Sequence, residues 1–267
     1  MGASLRICLY IWAILLFVAA TPAFAGDYED ALAAHDMGQY ETALALLRPL
    51  GEANNVDAQN KLSHMYWYGE GTAVDYDEAL RWSRRAAAAG SASAYYDIGV
   101  HYRAGLGVPQ SDELAFEWQL KAANLGDSWA AKAVGRSYTL GMGVAQDPVL
   151  GLHWLRIAAD LGSPDAELLM GIMSLHLGDV AEADRQLQGA ASAREPEAAL
   201  RLGRLFLDGT DGWSKDPAQA LMWLTIAGRE GCLEAPALLR RAAADADPRT
   251  LEDLDALVAS WEAANPF

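Results

Sequence analysis

Cysteine and recognisable catalytic patterns are both scarce in this sequence. Of its two cysteines, Cys8 lies in an apolar stretch at the N-terminus, so Cys232 has no second cysteine in the rest of the chain with which to form a disulfide. A single cysteine is more often a small buried apolar residue than a reactive thiol. We therefore expect packing alone to stabilise the fold.

Motifs for metal ligands, nucleophiles and phosphate binding are also missing. The histidines form no His-Glu-x-x-His spacing, and there is no Gly-x-Ser-x-Gly elbow around a serine. Gly-x-Gly pairs occur, but a phosphate-binding loop would follow a strand, and the chain shows no strand-like alternation. These absences predict a protein that is not an enzyme and that uses no cofactor and no metal. The histidines are His35, His64, His101, His153 and His176.

Basic residues are outnumbered by acidic ones. The chain has 20 lysines and arginines against 36 aspartates and glutamates, which gives a formal net charge of −16. Such a surface repels nucleic acids and anionic lipids, so neither is an expected partner. The acidic residues are spread along the chain, which is typical of a solvated surface rather than of an acidic tail.

Long apolar runs are limited to the N-terminus. Arg6 gives a short positively charged start, residues 7–20 are apolar, and Ala23-Phe24-Ala25 fits the small-x-small rule for cleavage. This pattern predicts a signal peptide over residues 1–25, a mature chain that begins at Gly26, and a periplasmic or secreted protein. Because the run is shorter than the ~20 residues that span a bilayer, we expect no stable membrane insertion after cleavage. An uncleaved anchor is the alternative.

The sequence contains a repeat with a period of 36 residues. A tryptophan, a tyrosine, a glycine pair, a closing glycine and an opening alanine recur in register, and a fixed period of about 20–50 residues indicates a solenoid of stacked units. The recurring positions are Trp82, Trp118 and Trp154; Tyr66, Tyr102 and Tyr138; Gly69/Gly71, Gly105/Gly107 and Gly141/Gly143; Gly90, Gly126 and Gly162; and Ala58, Ala94, Ala130 and Ala166.

Each unit has the apolar spacing of two helices joined by a short loop. In the second unit, Gly105 fits the left-handed cap of the first helix, and Pro109 cannot continue that helix. Ser111 or Asp112 then offers an N-cap for the second helix, which Gly126 ends.

This pattern of alanine, tyrosine, glycine pair, aspartate, tryptophan and Ala-Ala-x-x-Gly resembles the Sel1-like repeat family, whose members are helical solenoids related to tetratricopeptide repeats. The resemblance implies an all-α fold, an α/α superhelical solenoid of stacked helix-turn-helix repeats with C-terminal capping helices. The predicted organisation is a tetratricopeptide-like hairpin at 26–57, Sel1-like repeats at 58–234 (58–93, 94–129, 130–165, a degenerate unit 166–197, and 198–234), and capping helices at 235–267, with Thr250 as a plausible N-cap.

The repeated aromatic residues are interpreted as core. Stacked units bury their faces against each other, and a tryptophan at the same place in every unit fills the gap between helix pairs. A ligand site would rarely need the same residue in each unit, and cutting a buried aromatic side chain to alanine costs ~3–5 kcal/mol. We therefore expect buried side chains at Trp82, Trp118, Trp154 and Trp223.

Function is expected where the units differ at exposed positions. By analogy with tetratricopeptide repeats, the first helix of each pair lines the concave face. Aromatic and basic residues are frequent at its exposed positions, and Trp129 has no aromatic counterpart in register. The predicted partner-binding residues are Asn60, His64, Trp67, Tyr68, Tyr96, Arg103, Trp129, Lys132, Arg136 and Arg204. Other residues predicted to be exposed on this face are Asp57, Val100, Thr139, Leu168, Ile172, Leu175, His176, Leu200 and Asp208.

These residues predict a groove that binds a protein or a peptide. Aromatic side chains could anchor a partner, and the cations at Arg103, Lys132, Arg136 and Arg204 could hold its carboxylates. The expected protein is an adaptor or regulator in the cell envelope. One alternative is a cell-wall or glycan binder, because tryptophan and tyrosine stack on sugars. Another is a β-lactam-interacting hydrolase, since some cysteine-rich members of the family have been linked to β-lactam binding, although their paired cysteines are missing here.

Overall fold

A computed structural model of the chain describes residues 24–163 and 165–265. Within these residues the fold is all-α, with fourteen helices and no strand. The predicted signal peptide at 1–25 lies outside the described residues except for Phe24 and Ala25, which belong to the first helix. The helices are α1 Phe24–Asp36, α2 Tyr40–Glu52, α3 Val56–Tyr68, α4 Tyr76–Ala88, α5 Ala92–Ala104, α6 Asp112–Asn124, α7 Ser128–Leu140, α8 Pro148–Asp160, α9 Ala166–His176, α10 Val180–Ser192, α11 Pro196–Asp208, α12 Pro217–Arg229, α13 Ala235–Asp245 and α14 Pro248–Ala264.

The described residues up to Gln110 form one compact unit, called unit 1, which contains α1 to α5. Each helix packs against the next one along the chain, so that α1 pairs with α2 and α3 pairs with α4. Leu47, Leu62 and Met65 are fully buried between these helices. Alanine at helix contacts such as Ala58 lets the helices approach closely.

The described residues from Ser111 onward form a second compact unit, called unit 2, which contains α6 to α14. Its helix pairs also pack in succession, and Leu187 and Leu202 lie in its largest apolar core. Helix α14 returns to pack on α12, where the Trp261 and Trp223 rings meet edge to face with centroids 5.3 Å apart. The structure confirms the predicted α/α solenoid. Within the described residues, no helix combines the length and the apolar composition needed to cross a membrane.

Side-chain caps and left-handed glycines set the helix ends. Ser111 caps α6 as predicted, because its hydroxyl accepts a hydrogen bond from the backbone N–H of Leu114 at 3.2 Å. Gly105 ends α5 with a φ of 69°. Gly143 has a φ of 71°, and a Cβ there would lie 2.0 Å from the carbonyl oxygen of Asp112. The second glycine of the pair therefore lets the loop of one repeat touch the preceding repeat.

The predicted N-cap of α14 is wrong. Asp247 caps this helix, because its carboxylate accepts a hydrogen bond from the backbone N–H of Thr250 at 2.8 Å. Pro248 then occupies the first turn, where a missing N–H costs nothing. Thr250 lies inside the helix that it was expected to start.

The repeated tryptophans are not equally buried. Trp82 and Trp223 are buried as predicted, but the prediction is wrong for Trp118 and Trp154, which are partly exposed. A Cβ on Gly51 would lie 2.9 Å from the ring of Trp82, so the missing side chain admits the indole. Ala123 stands at the equivalent position before Trp154, which is partly exposed.

The degenerate repeat keeps its helix contact although it lacks the tryptophan. Its first helix, α9, has 11 residues, and only three residues separate it from α10. A Cβ on Gly171 would lie 2.7 Å from the side chain of Leu187, much as one on Gly135 would lie 2.8 Å from Leu155. Leu187 is fully buried, so the glycine-on-leucine crossing is the feature that this unit shares with its neighbour.

Candidate functional site

Four predicted binding residues meet in unit 1. Trp67 and Tyr68 follow His64 by three and four residues, so they lie on the same face of α3 as His64, and Tyr96 comes from α5. Together with Ser63, Asp97, Val100 and His101 they line a cavity of about 190 Å³, called the unit-1 pocket. Tyr68 is 69% exposed at its edge. The structure therefore brings these predicted residues together, while their role in binding stays a prediction.

A charged pair crosses the unit-1 pocket. The Nε2 atom of His64 lies 3.1 Å from a carboxylate oxygen of Asp97, and the His64 side chain is half exposed. The hydrogen bond that Asp97 accepts from His64 raises the pKa of His64 above its usual value, against the opposing effect of burial. The pocket can therefore hold an imidazolium beside its carboxylate at mildly acidic pH.

Trp67 fills the floor of the unit-1 pocket. Its ring makes edge-to-face contacts with Tyr76, at 5.2 Å between centroids, and with His101, at 4.7 Å. His101 is fully buried and donates a hydrogen bond from Nδ1 to the carbonyl oxygen of Leu106 at 2.7 Å. Burial lowers the pKa of His101, so it is neutral where His64 takes up a proton. Trp67 was expected to be exposed, but it is partly buried and packs against its neighbours.

A second and larger cavity, called the unit-2 cavity, lies in unit 2. It measures about 550 Å³ and lies between α7, α8 and α9. Predicted residues Arg136, Thr139, Ile172 and His176 contribute to it. The rest of the lining, which the sequence reasoning did not select, is Leu140, Gln146, Pro148, Leu155, Leu169, Met173 and Leu177.

The two sites occupy the same place in the repeat. His64, Tyr68 and Val100 of the unit-1 pocket lie two periods of 36 residues before Arg136, Leu140 and Ile172 of the unit-2 cavity. Comparing the units position by position was the signal that could have found the missed residues. The sequence reasoning selected residues by their position in each first helix, including apolar ones such as Ile172, but it did not select Leu140, Leu169 or Met173.

Two of the four cations predicted to hold a partner's carboxylate already have a carboxylate within the protein. Lys132 is largely buried and lies 2.7 Å from Asp165, with its ammonium 4.0 Å from the ring centroid of Trp129. Arg204 pairs with Glu234. For Lys132 and Arg204, therefore, the structure places an acidic side chain of the protein beside each cation, and their role in binding stays a prediction.

Arg136 differs from these two cations. It is exposed on α7, and it makes no hydrogen bond or ion pair with any other side chain in the part of the chain that the structure describes. Arg103 is partly buried on α5. Among the predicted cations, Arg136 therefore lines a cavity and has no carboxylate partner in the described residues.

The remaining predicted residues are exposed to different degrees. Trp129 is 48% exposed, as expected for a contact surface. Asn60 is partly buried and accepts a hydrogen bond from the Ser91 hydroxyl at 3.1 Å. Leu168 and Leu200 were expected on the surface but are buried in the main core of unit 2, because neighbouring helices cover the side of α9 and α11 on which they lie.

Metal binding has no support in the geometry of the described residues. Across residues 24–163 and 165–265, no three His, Cys, Asp or Glu side chains are grouped so that they could hold a metal ion. The Ser63 hydroxyl, next to His64 in the sequence, is buried and hydrogen-bonded to the hydroxyl of Ser83 at 2.7 Å. These contacts are typical of a packed helix pair.

Comparisons with known proteins agree with this architecture. The family described as "Sel1 repeat" matches residues 56–91, 92–127, 130–163 and 196–232. A search of curated proteins gives no match. Among solved structures, a Sel1 repeat protein from Oxalobacter formigenes is 26% identical with a TM-score of 0.72, over 87% of this chain and 99% of that one.

Two further solved structures share the fold. A protective antigen of uropathogenic Escherichia coli strains, displaying an SLR fold, is 24% identical with a TM-score of 0.65, over 83% of this chain and 53% of that one. An immunity protein from Pseudomonas aeruginosa is 21% identical with a TM-score of 0.53, over 80% of this chain and 83% of that one. The four matched repeats cover more than half of the sequence, and the chain belongs to the Sel1 repeat family.

Proposed function

We propose that this protein is an exported, non-catalytic scaffold that binds a protein or peptide partner through the first helices of its repeats. Repeat scaffolds of stacked helix pairs present extended surfaces for binding. Membership in the Sel1 repeat family supports a scaffold that acts through protein–protein interaction. The proposed export to the periplasm or cell exterior rests on the signal-peptide pattern at 1–25.

The observation that carries the proposal is the unit-1 pocket. Tyr68 is 69% exposed next to a cavity whose lining includes two further aromatic rings, Trp67 and Tyr96, and the imidazoles of His64 and His101. Such amphipathic rings dominate the energy of protein interfaces because they bury much area at little entropic cost. The His64–Asp97 pair adds polar groups that can fix the orientation of a bound segment.

Affinity capture from the envelope fraction of the source cells tests this function. The wild-type protein and the Tyr68→Ala variant are immobilised and their bound proteins compared quantitatively by mass spectrometry. Arg84→Ala is the matched control, because Arg84 is exposed on the second helix α4. We expect one or more proteins that Tyr68→Ala loses at least tenfold and that Arg84→Ala retains.

Two outcomes contradict the proposal. If no protein depends on Tyr68 while peptidoglycan fragments bind the wild-type protein and not Tyr68→Ala, the site takes glycans instead. If neither binds, the pocket has no partner in the envelope. N-terminal sequencing of the protein from that fraction tests export separately, with Gly26 as the expected first residue.

A further inference from the structure

Two rings that are present in unit 1 have no counterpart at the unit-2 cavity. In unit 1, Trp67 and Tyr76 pack edge to face and fill the space behind the first helices. Two periods later the same positions hold Thr139 and Pro148, and both line the unit-2 cavity. The unit-2 cavity is about three times as large as the unit-1 pocket. Replacing two large rings by small side chains leaves room for a side chain from elsewhere.

The cavity wall is also less polar than its counterpart. Asp97 and His101 of the unit-1 pocket correspond to Leu169 and Met173 here. Leu140 and Leu177 stand at the cavity with 58% and 47% of their surface exposed. Apolar side chains that are exposed around a concave site are typical of a surface that a partner covers.

The charge at this site is left without its partner. In unit 1 the cation position, His64, faces Asp97 at 3.1 Å. In unit 2 the cation position is Arg136, and the position of its carboxylate is taken by Leu169. The guanidinium thus lines an apolar cavity with no carboxylate bound to it among the described residues. On a chain with net charge −16, where most arginines pair with acidic residues, this guanidinium can take a carboxylate from outside.

We propose that the unit-2 cavity binds a polypeptide segment of its partner in which a large apolar side chain lies next to a carboxylate. The apolar side chain enters the space between Thr139, Pro148 and Met173, and the carboxylate pairs with Arg136. This inference rests on the proposed function and names the chemistry of the segment. It differs from the unit-1 pocket, where the protein supplies its own carboxylate.

Selection from a phage-displayed library of random nine-residue peptides tests the proposal on the full-length mature protein. We expect enriched peptides to carry a leucine, phenylalanine, isoleucine or tryptophan within two positions of an aspartate or glutamate. A fluorescein-labelled copy of the most enriched peptide is then titrated against variants by fluorescence polarisation.

The variants separate the two parts of the site. Arg136→Gln keeps much of the side-chain length but removes the charge, and we expect about tenfold weaker binding of the acidic peptide. A second peptide carries the amide in place of the acid. We expect Arg136→Gln to bind this peptide as tightly as the wild type does, so the loss from the variant and the loss from the amide peptide do not add. Thr139→Trp places an indole where unit 1 has one, and we expect it to reduce binding at least tenfold. Arg156→Gln, an exposed cation on α8, is the control and binds as the wild type does.

Several results overturn the proposal. One is a set of enriched peptides that lacks the apolar–acidic pattern. Another is equal affinity of Arg136→Gln and the wild type for the acidic peptide. Selection that yields no peptide while laurate binds in an Arg136-dependent way assigns the cavity to a lipid instead. Because these tests use defined peptides, their failure leaves the Tyr68-dependent capture intact, and the two proposals fail separately.

Discussion

Exchanging the residues at one repeat position, Trp67 in unit 1 and Thr139 in unit 2, should change stability in opposite directions. Trp67→Thr removes a partly buried indole, which loses about 100 Å² of apolar burial, or ~2.5 kcal/mol. Its edge-to-face contacts with Tyr76 and His101 add about 1–2 kcal/mol. The expected loss is therefore about 4 kcal/mol, or roughly 10 °C in a chain of this size.

Thr139→Trp should have no such cost. Thr139 lines a cavity of about 550 Å³, and we expect the larger indole to occupy part of this space. We expect an unchanged unfolding midpoint or a gain of about 1–2 kcal/mol, as cavity-filling changes commonly give. Both variants are compared with the wild type by thermal melting followed by circular dichroism at 222 nm, which does not depend on the number of tryptophans.

A loss of similar size for both variants would refute this reasoning, because it would mean that the space beside Thr139 is closed in solution. A neutral Trp67→Thr variant would refute it in another way, because the indole would then not be a packing residue. Since stacked repeats can unfold in steps, the full melting curve is compared rather than a single midpoint.

Three smaller predictions concern charges, loops and caps. The folded-state pKa of His64 is raised, so its pairing with Asp97 stabilises the fold fully below the unfolded value of 6.5 and is lost as the pH rises through the folded value. Melting at pH 5 should therefore show a His64→Gln loss of stability, below ~1 kcal/mol for this half-exposed pair, and melting at pH 8 should show a smaller loss. Gly143→Ala should cost more than ~2 kcal/mol in urea unfolding, because its φ is 71° and the new Cβ would lie 2.0 Å from Asp112. Gly162→Ala is the control, with a φ of 77° and open space around the new Cβ, and should cost only about 1 kcal/mol. Equal losses for the two variants would argue against the loop contact. Asp247→Ala should lower the free energy of unfolding by about 1 kcal/mol, because α14 loses its N-cap. A larger loss from Thr250→Ala in the same urea titration would show that Thr250, and not Asp247, is the N-cap.

The repeat made the helices predictable from the sequence. Glycines that must take a left-handed conformation, such as Gly105, and capping side chains, such as Ser111, act locally, so their positions in the sequence fix the helix ends. The cap of α14 was misplaced because Asp247 and Thr250 are both good capping residues three positions apart. The choice between them depends on where Pro248 starts the helix.

The candidate sites were predictable only in part. Position within a helix indicates which face a residue shares, and this brought His64, Trp67 and Tyr68 together correctly. It does not indicate what covers that face, so Leu200 was expected outside and lies in the core. Nor does it reveal ion pairs between residues far apart in sequence, such as Lys132 with Asp165. Cavities depend on such neighbours, which is why the unit-2 cavity emerged only from the structure.

Site-specific photo-crosslinking in the source cells tests most directly whether the first helices contact a partner. A benzoyl-phenylalanine is placed at Tyr68 and, in separate strains, at Leu140, Arg84 and Arg185, all of which are exposed. The account predicts a polypeptide adduct of one mass from positions 68 and 140 on α3 and α7, and none from positions 84 and 185 on the second helices α4 and α10. Adducts confined to positions 84 and 185, or no adduct at any position, would contradict it.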